Sequence, residues 1–203
     1  MRKSPGSLLA VLAGGMVPTA AWSHIGLAAN DLYNGMLHPV LHLPTLLPIV
    51  VLALWLSQHK GGHLAPLVTA YMFWGIAGAA VAWFQPDVPR ASEMLLPLAV
   101  LLGILVAVKQ APPLWISAPL VALVGWVEGF ENVVEIAADL SDPLLYLAGL
   151  LLTLGLIPMH VTALLHGRRQ LWIRTAARIL GSWVATVAAL VLALEWSGAL
   201  ASP

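Results

Sequence analysis

The chain has 203 residues, of which 60% are hydrophobic and 9% charged; its formal net charge is zero and its mean hydropathy is +0.90. Soluble domains carry roughly 25% charged residues, so this composition excludes a water-exposed globular surface and predicts an integral membrane protein. The balanced charge excludes nucleic-acid binding. Because the sequence contains no cysteine, only histidine, carboxylate and methionine side chains remain for metal or proton chemistry.

Long apolar runs predict the transmembrane segments. A bilayer core about 30 Å thick needs about 20 apolar residues in helical form. The runs are continuous and lack the alternation of barrel strands, which favours helices. The seven candidates are Ser7–Trp22, Leu41–Ser57, Leu64–Phe84, Glu93–Val108, Leu114–Ala138, Leu144–His166 and Leu171–Trp196. We therefore expect an all-α fold, a polytopic membrane bundle of six or seven transmembrane helices joined by short loops.

The first run has two interpretations. The N-terminus follows the three-part pattern of a signal peptide, with a basic start, an apolar stretch over Leu8–Met16 and small residues around Trp22. Residues 1–23 are therefore either a cleaved signal peptide or a retained first transmembrane segment. In both cases residues 24–203 form the bundle.

The second run begins with a pair of histidines. His38 and His42 are four residues apart, so in a helix their imidazoles would share a face and could chelate one metal ion. Pro39 suits the first turn of a helix, whereas Pro44 and Pro48 would kink or break the helix beyond it. A broken helix near the outer surface is typical of an ion path, where irregular backbone lines a cavity.

The fifth run carries three carboxylates. Spacings of three, four and seven place Glu128, Glu131 and Glu135 on one helix face, with Asn132 beside them. Three anions on one face repel unless protons, a cation or basic groups neutralise them. The stripe is either an ion or proton site, or a set of protonated packing residues with Glu135 at the interface. We expect Glu128 and Glu131 to point into the bundle, near the helix that begins at His38, because ionised groups facing lipid are costly.

The remaining histidines have weaker patterns. His160 follows Pro158, which predicts a kink in the sixth run, and His166 adjoins the arginines of the next loop. His59 and His63 flank a lysine and two glycines, which is typical of a solvated loop.

Charge placement predicts the orientation. With a cytoplasmic N-terminus, eight of the nine basic residues fall on or near the inner side, as the positive-inside rule requires, and only Arg90 falls outside. The loops 58–63, 109–113 and 167–170 are then cytoplasmic, whereas 85–92 and 139–143 face out. The outer side collects the acids Asp31, Asp87, Glu93, Asp139, Asp142 and Glu195.

At these motifs the chain resembles the HupE/UreJ family, the nickel permeases associated with hydrogenase and urease. Gly35–Leu47 is similar to the family's G-F-x-H-P-L-x-G-x-D-H-L-L, and Val124–Glu131 to its H-G-x-x-H-G-x-E. Thr162–His166 is similar to a late A-T-x-L-H. Four ligand-type positions differ, since Pro44 and Thr45 replace an Asp-His pair and Val124 and Glu128 replace two histidines.

The resemblance implies a permease for a divalent transition-metal ion of the nickel and cobalt class, in the bacterial inner membrane, and no enzyme activity. The expected metal ligands are His38, His42, Glu128, Glu131 and His166. Because ligand positions have changed, the alternative is a non-transporting accessory subunit that packs in the bilayer against a larger membrane enzyme complex. A proton-coupled carrier of another solute is a third interpretation.

Overall fold

A computed structural model of the protein describes residues 30–84, 92–134, 140–168 and 170–197. These ranges contain seven α-helices, one 3₁₀ helix and no strand, which confirms the all-α prediction. The helices are α1 (Asp31–Leu41), α2 (Leu43–Leu56), α3 (Gly61–Phe84), α4 (Leu95–Ala107), α5 (Leu114–Val134), α6 (Pro143–Leu165) and α7 (Leu171–Trp196), with the 3₁₀ helix Ser92–Met94 before α4. The first predicted span, Ser7–Trp22, and Glu135 of the carboxylate stripe lie outside the described residues.

The predicted number of six or seven spans is not confirmed. Four helices, α3, α5, α6 and α7, are long and apolar enough to cross a membrane, and α1 with α2 makes a fifth if the bent pair is one span. Helix α4 is apolar but has only 13 residues, which corresponds to about 20 Å of helix, less than the roughly 30 Å of a bilayer core. The fourth apolar run therefore forms a helix shorter than a full span.

The second predicted span is broken at its start. Helices α1 and α2 meet at His42 with a bend of 77°. Pro39 lies near the end of α1 and not in a first turn as expected, and it removes the N–H that would bond to Gly35. Pro44 then occupies the first turn of α2, where a missing N–H costs nothing. The two prolines thus end one helix and begin the next, while Pro48 is accommodated inside α2.

Helix α2 forms the centre of the bundle. All residues from Val51 to Leu56 are at most 2% exposed. The helix contacts α4, α6 and α7. At its end the indole N–H of Trp55 donates to the backbone oxygen of Gln110 at 2.7 Å, which ties α2 to the loop before α5. Such all-round burial explains why the sequence of α2 is apolar on every face.

The other helices pack in pairs through glycines. Helix α3 pairs with α5, α4 with α7, and α1 with α6. A Cβ atom at Gly129 would overlap the carbonyl oxygen of Gly75, and one at Gly35 would overlap the carbonyl oxygen of Tyr146. Small residues at these seams let the backbones approach closely, which is how helices associate when lipid removes the hydrophobic driving force.

The two ends of the bundle carry opposite charge. The loops after α2, α4 and α6 meet at one end, as predicted, where Gln58 donates to the Val106 oxygen at 3.1 Å and His166 Nδ1 lies 3.3 Å from the Ser57 oxygen. The basic residues of the described ranges belong to this basic end: Lys60, Lys109, Arg168, Arg174 and Arg178. The opposite, acidic end holds Asp31, Glu93, Asp142 and Glu195. The other charged residues assigned to loops or termini, Arg2, Lys3, Asp87, Arg90, Asp139 and Arg169, lie outside the described residues.

Candidate metal-ion site

A cavity of about 240 Å³ opens at the acidic end, where the α1–α2 break, the start of α4 and the ends of α5 and α7 meet. Its ionisable lining residues are one histidine and three glutamates, and we call it the acidic cavity: His42, Glu93, Glu131 and Glu195. No lysine or arginine of the described residues lines it. Carboxylates from three elements around one imidazole create a negative field that attracts cations.

The two predicted histidines lie side by side, and His42 lines this cavity. Their rings stack with centroids 5.8 Å apart and planes inclined by 22°. His42 Nδ1 lies 3.0 Å from the hydroxyl oxygen of Thr45, also in the cavity lining, and His38 packs edge-on against Tyr146. The break between α1 and α2 at His42 thus orients its ring, while His38 supplies a second imidazole beside it.

The predicted carboxylates Glu128 and Glu131 point into the bundle. Glu128 is fully buried and Glu131 is 2% exposed. Since α5 runs from the basic end to the acidic end, Glu128 lies about 4.5 Å deeper than Glu131 along the axis. The prediction that both side chains avoid lipid is confirmed, and Glu131 shares the acidic cavity with His42 as expected.

Glu128 belongs to a buried polar group between α3 and α5. The side-chain amide of Asn132 donates to Glu128 Oε2 at 3.4 Å, and Tyr71 interacts electrostatically with Glu128. Glu128 Oε1, the Tyr71 hydroxyl and Asn132 Oδ1 have no hydrogen-bond partner among the described residues. Buried polar atoms in that state are costly, so a proton, a water molecule or a cation is expected to complete the group.

His166 does not join the other predicted ligands. It lies beside Ser57 at the far end of α2 from His42, and the 14 residues of α2 separate these ends by about 20 Å. His160 is exposed, with its Nδ1 donating to the Leu156 oxygen of its own helix. The Thr162–His166 motif therefore lies at the basic end of the molecule, away from the acidic cavity. Its histidine cannot bind an ion held at His42.

The expectation that His59 is solvated was wrong. Its side chain is 3% exposed, with Nδ1 3.1 Å from the Trp55 oxygen and Nε2 3.0 Å from the Ser117 hydroxyl oxygen. Burial lowers the pKa of His59, with a smaller contribution from the charge of His63. The neighbouring glycines suggested a solvated loop. However, α5 begins directly over the 58–63 loop and covers His59.

Sequence reasoning missed two members of the acidic cavity. Glu93 and Glu195 were assigned only to the outer side, although the structure brings both to the cavity that contains Glu131. Their position at the start of α4 and the end of α7 was the available signal, because two helix ends that pair antiparallel meet at one level. Within the described residues, no three His, Asp or Glu side chains are yet close enough to hold one metal ion.

Beyond Glu128 the interior of α5 becomes apolar. Val121 and Val124 are fully buried between Glu128 and the Ser117–His59 contact. The described part of α5 thus has an apolar buried segment between Glu128 and Ser117. The acidic cavity opens at the acidic end.

Comparison with known proteins agrees with this architecture. Residues 10–192 match the sequence profile of the family described as HupE / UreJ protein. Protein HupE of Rhizobium leguminosarum bv. viciae is 27% identical over 185 residues, which cover 89% of this chain and 94% of that protein. No solved structure matches. The profile covers most of the chain and the helices are apolar enough to span a bilayer, so this chain is a multi-pass membrane protein that belongs to the HupE/UreJ family.

Proposed function

We propose that this protein is a permease for a divalent transition-metal ion of the nickel and cobalt class, in the bacterial inner membrane, with its acidic cavity facing outward. The observation that carries the proposal is the convergence of His42, Glu93, Glu131 and Glu195 on one cavity that no described lysine or arginine lines. The association of the HupE/UreJ family with nickel and cobalt uptake for hydrogenase and urease supports it.

The side chains offered by the cavity suit such a cation. Imidazole nitrogen and carboxylate oxygen without thiolate favour nickel, cobalt, zinc or manganese over cuprous ion. Glu93 and Glu195 are exposed, so they can attract a hydrated ion and rotate toward it. The half-buried His42 and the buried Glu131 then replace its water molecules. Binding therefore assembles a ligand set that the side chains do not form in this conformation.

A path deeper into the bundle continues from Glu131. Glu128, less than one turn further along α5, has an oxygen atom that lacks a hydrogen-bond partner among the described residues. An ion passing from Glu131 to Glu128 would keep a carboxylate ligand while leaving the cavity. We include His38 in the site because its ring lies beside His42, so the proposed metal-contacting residues are His38, His42, Glu128 and Glu131.

The alternative is a non-transporting subunit of a larger membrane enzyme complex. It is favoured by the lack of an assembled three-residue ligand cluster in the described part of the chain. This alternative predicts that the purified protein carries no metal and co-purifies stably with the enzyme. The permease predicts metal binding by the isolated chain.

Uptake of radioactive nickel into proteoliposomes tests the permease directly. We expect Glu131→Gln to reduce the initial rate at least about tenfold, since contacts from a charged group contribute about 1.5–3 kcal/mol. Asp142→Asn is the matched control. Asp142 lies exposed at the same end, outside the acidic cavity, and caps α6, a role that asparagine fills equally well. Equal uptake by the native chain and both variants, or no uptake by any, would contradict the proposal.

A further inference from the structure

A second cavity, of about 430 Å³, lies at the basic end between the α2–α3 loop, the ends of α4 and α6 and the start of α7. We call it the basic pocket, after its charged lining residues Lys109, Arg168, Arg174 and Arg178; His59 and His166 add two imidazoles. No carboxylate of the described residues lines it. Four cations at one cavity repel each other, and a bound anion would relieve that repulsion.

Two of the arginines are fixed by backbone contacts that leave most of their donors available. Arg178 donates its Nε–H to the Ala107 oxygen at 2.8 Å, and Arg168 donates its Nε–H to the Leu164 oxygen at 3.0 Å. Each guanidinium has five N–H groups, so four per arginine remain on the terminal nitrogens. A fixed guanidinium edge of this kind matches the oxygens of a phosphate group.

Lys109 occupies a position where glycine is usual. Its N–H donates to the Val106 oxygen at 3.1 Å and that of Gln110 to the Leu105 oxygen at 2.8 Å, which closes α4 with the two hydrogen bonds of a Schellman motif. The first residue beyond the helix cap in this motif must adopt a left-handed backbone conformation. Here that residue is Lys109, with a φ of 58°. Helix α6 uses Gly167, with a φ of 74°, at the equivalent place. A lysine accepts backbone strain here, which marks a position where its charge has a use.

The uncharged lining residues of the basic pocket indicate which other groups a bound ligand would carry. Gln58 donates its Nε2–H to the Val106 oxygen, while its Oε1 is buried and has no hydrogen-bond partner among the described residues. That atom can accept a hydrogen bond from a hydroxyl group. Leu165, Leu171 and Ile173 add apolar surface, and the exposed Trp172 beside them is a side chain typical of the membrane interface.

We propose that the basic pocket binds a phosphate group with a neighbouring hydroxyl, as presented by the glycerol headgroup of an anionic phospholipid. Basic pockets between transmembrane helices on the cytoplasmic side are suited to such headgroups. Lys109, Arg168, Arg174 and Arg178 surround the phosphate, Gln58 accepts from the hydroxyl, and the apolar lining contacts the start of the acyl chains. The site is about a helix length away from the acidic cavity and independent of transport.

Native mass spectrometry and thermal unfolding of the full-length, delipidated protein in neutral detergent test this site. We expect phosphatidylglycerol to bind and to raise Tm, whereas phosphatidylcholine does neither. Arg174→Gln and Lys109→Gly each lower the phosphatidylglycerol affinity about fivefold, the effect of about 1 kcal/mol per basic residue. Lys109→Gly relieves the left-handed φ, so its Tm without lipid does not fall and the loss cannot be ascribed to misfolding. Lys60→Gln, at the same end but outside the basic pocket, is the unaffected control.

Inorganic phosphate distinguishes the two possible sources of the group. Binding of phosphatidylglycerol that inorganic phosphate does not compete away assigns the site to a bilayer lipid. An equal rise in Tm with inorganic phosphate assigns it to a soluble phosphate compound. If neither ligand binds, or if binding to the Lys109 and Arg174 variants equals that to the Lys60 variant, the site does not exist.

Discussion

His59 is a loop residue whose buried side chain connects two helices. Its Nδ1–H donates to the Trp55 oxygen, so Nε2 of the neutral ring is an acceptor. The Ser117 hydroxyl lies beside Nε2 and shares its proton between this nitrogen and the Pro112 oxygen. The ring also packs edge-on against Trp55 at 4.6 Å. One side chain thereby joins the end of α2 to the start of α5. Burial keeps it neutral by lowering its pKa.

Acidification should therefore weaken the fold through His59. The folded-state pKa lies below the unfolded one, so the unfolded chain binds more protons as the pH falls through about 6.5, and stability is lost in that window. We expect the Tm of the native protein to fall between about pH 7.5 and 5.5, and His59→Gln to flatten that dependence. His160→Gln, which changes an exposed histidine, should leave it unchanged. The same slope in all three proteins would exclude His59 as the cause.

At the scale of helices, the glycine seam between α3 and α5 places the buried polar group. Gly125 and Gly129 flank Glu128 on α5 and pack against the backbone of α3 near Tyr71 and Gly75. This close approach brings the Tyr71 side chain near enough to Glu128 for an electrostatic interaction. A wider separation would put lipid or water beside the carboxylate. The seam thus positions the candidate site as well as stabilising the bundle.

Gly129→Ala tests that seam. The added Cβ would overlap the Gly75 carbonyl oxygen, and because this neighbour is backbone, the two helices must move apart. We expect a loss of about 1–3 kcal/mol of stability, as for other overpacked positions, seen as a lower Tm in detergent. Gly62→Ala is the matched control, since a Cβ there meets nothing within 4 Å. Similar Tm values for both variants would mean that the seam is looser than the structure indicates.

The helices differ in how well sequence reasoning could locate them. Helices α3, α5, α6 and α7 follow their apolar runs closely because length and hydropathy suffice. Helix α1 was missed because it has 11 residues with polar side chains at its start. The break falls at His42, before the two positions Pro44 and Pro48 at which it was expected. Glu128 and Glu131 were predictable from the cost of exposing charge to lipid. The helix-end positions of Glu93 and Glu195 could place the two at one level, but their approach to Glu131 was not predictable because it depends on how the α4–α7 pair meets α5.

Across the whole molecule, charge is separated along the bundle axis. The acidic cavity and the basic pocket lie at opposite ends, and in the described part of the chain the helices between them are largely apolar, with the Glu128 group among them. A field of this direction draws cations to one end and anions to the other. It also predicts how the protein is oriented in the membrane, because basic loops resist translocation.

Cysteine labelling in intact cells tests the resulting orientation, in which the basic end is cytoplasmic. The chain contains no cysteine, so each introduced thiol is the only target. Gly62→Cys places a thiol in open space at the basic end, and Ser141→Cys exposes one at the acidic end. An impermeant maleimide should label residue 141 from outside and residue 62 only after permeabilisation, because Lys60, Lys109 and Arg168 hold their loops inside by the positive-inside rule. The reverse pattern would place the acidic cavity in the cytoplasm and would contradict the outward-facing cavity of the proposed permease.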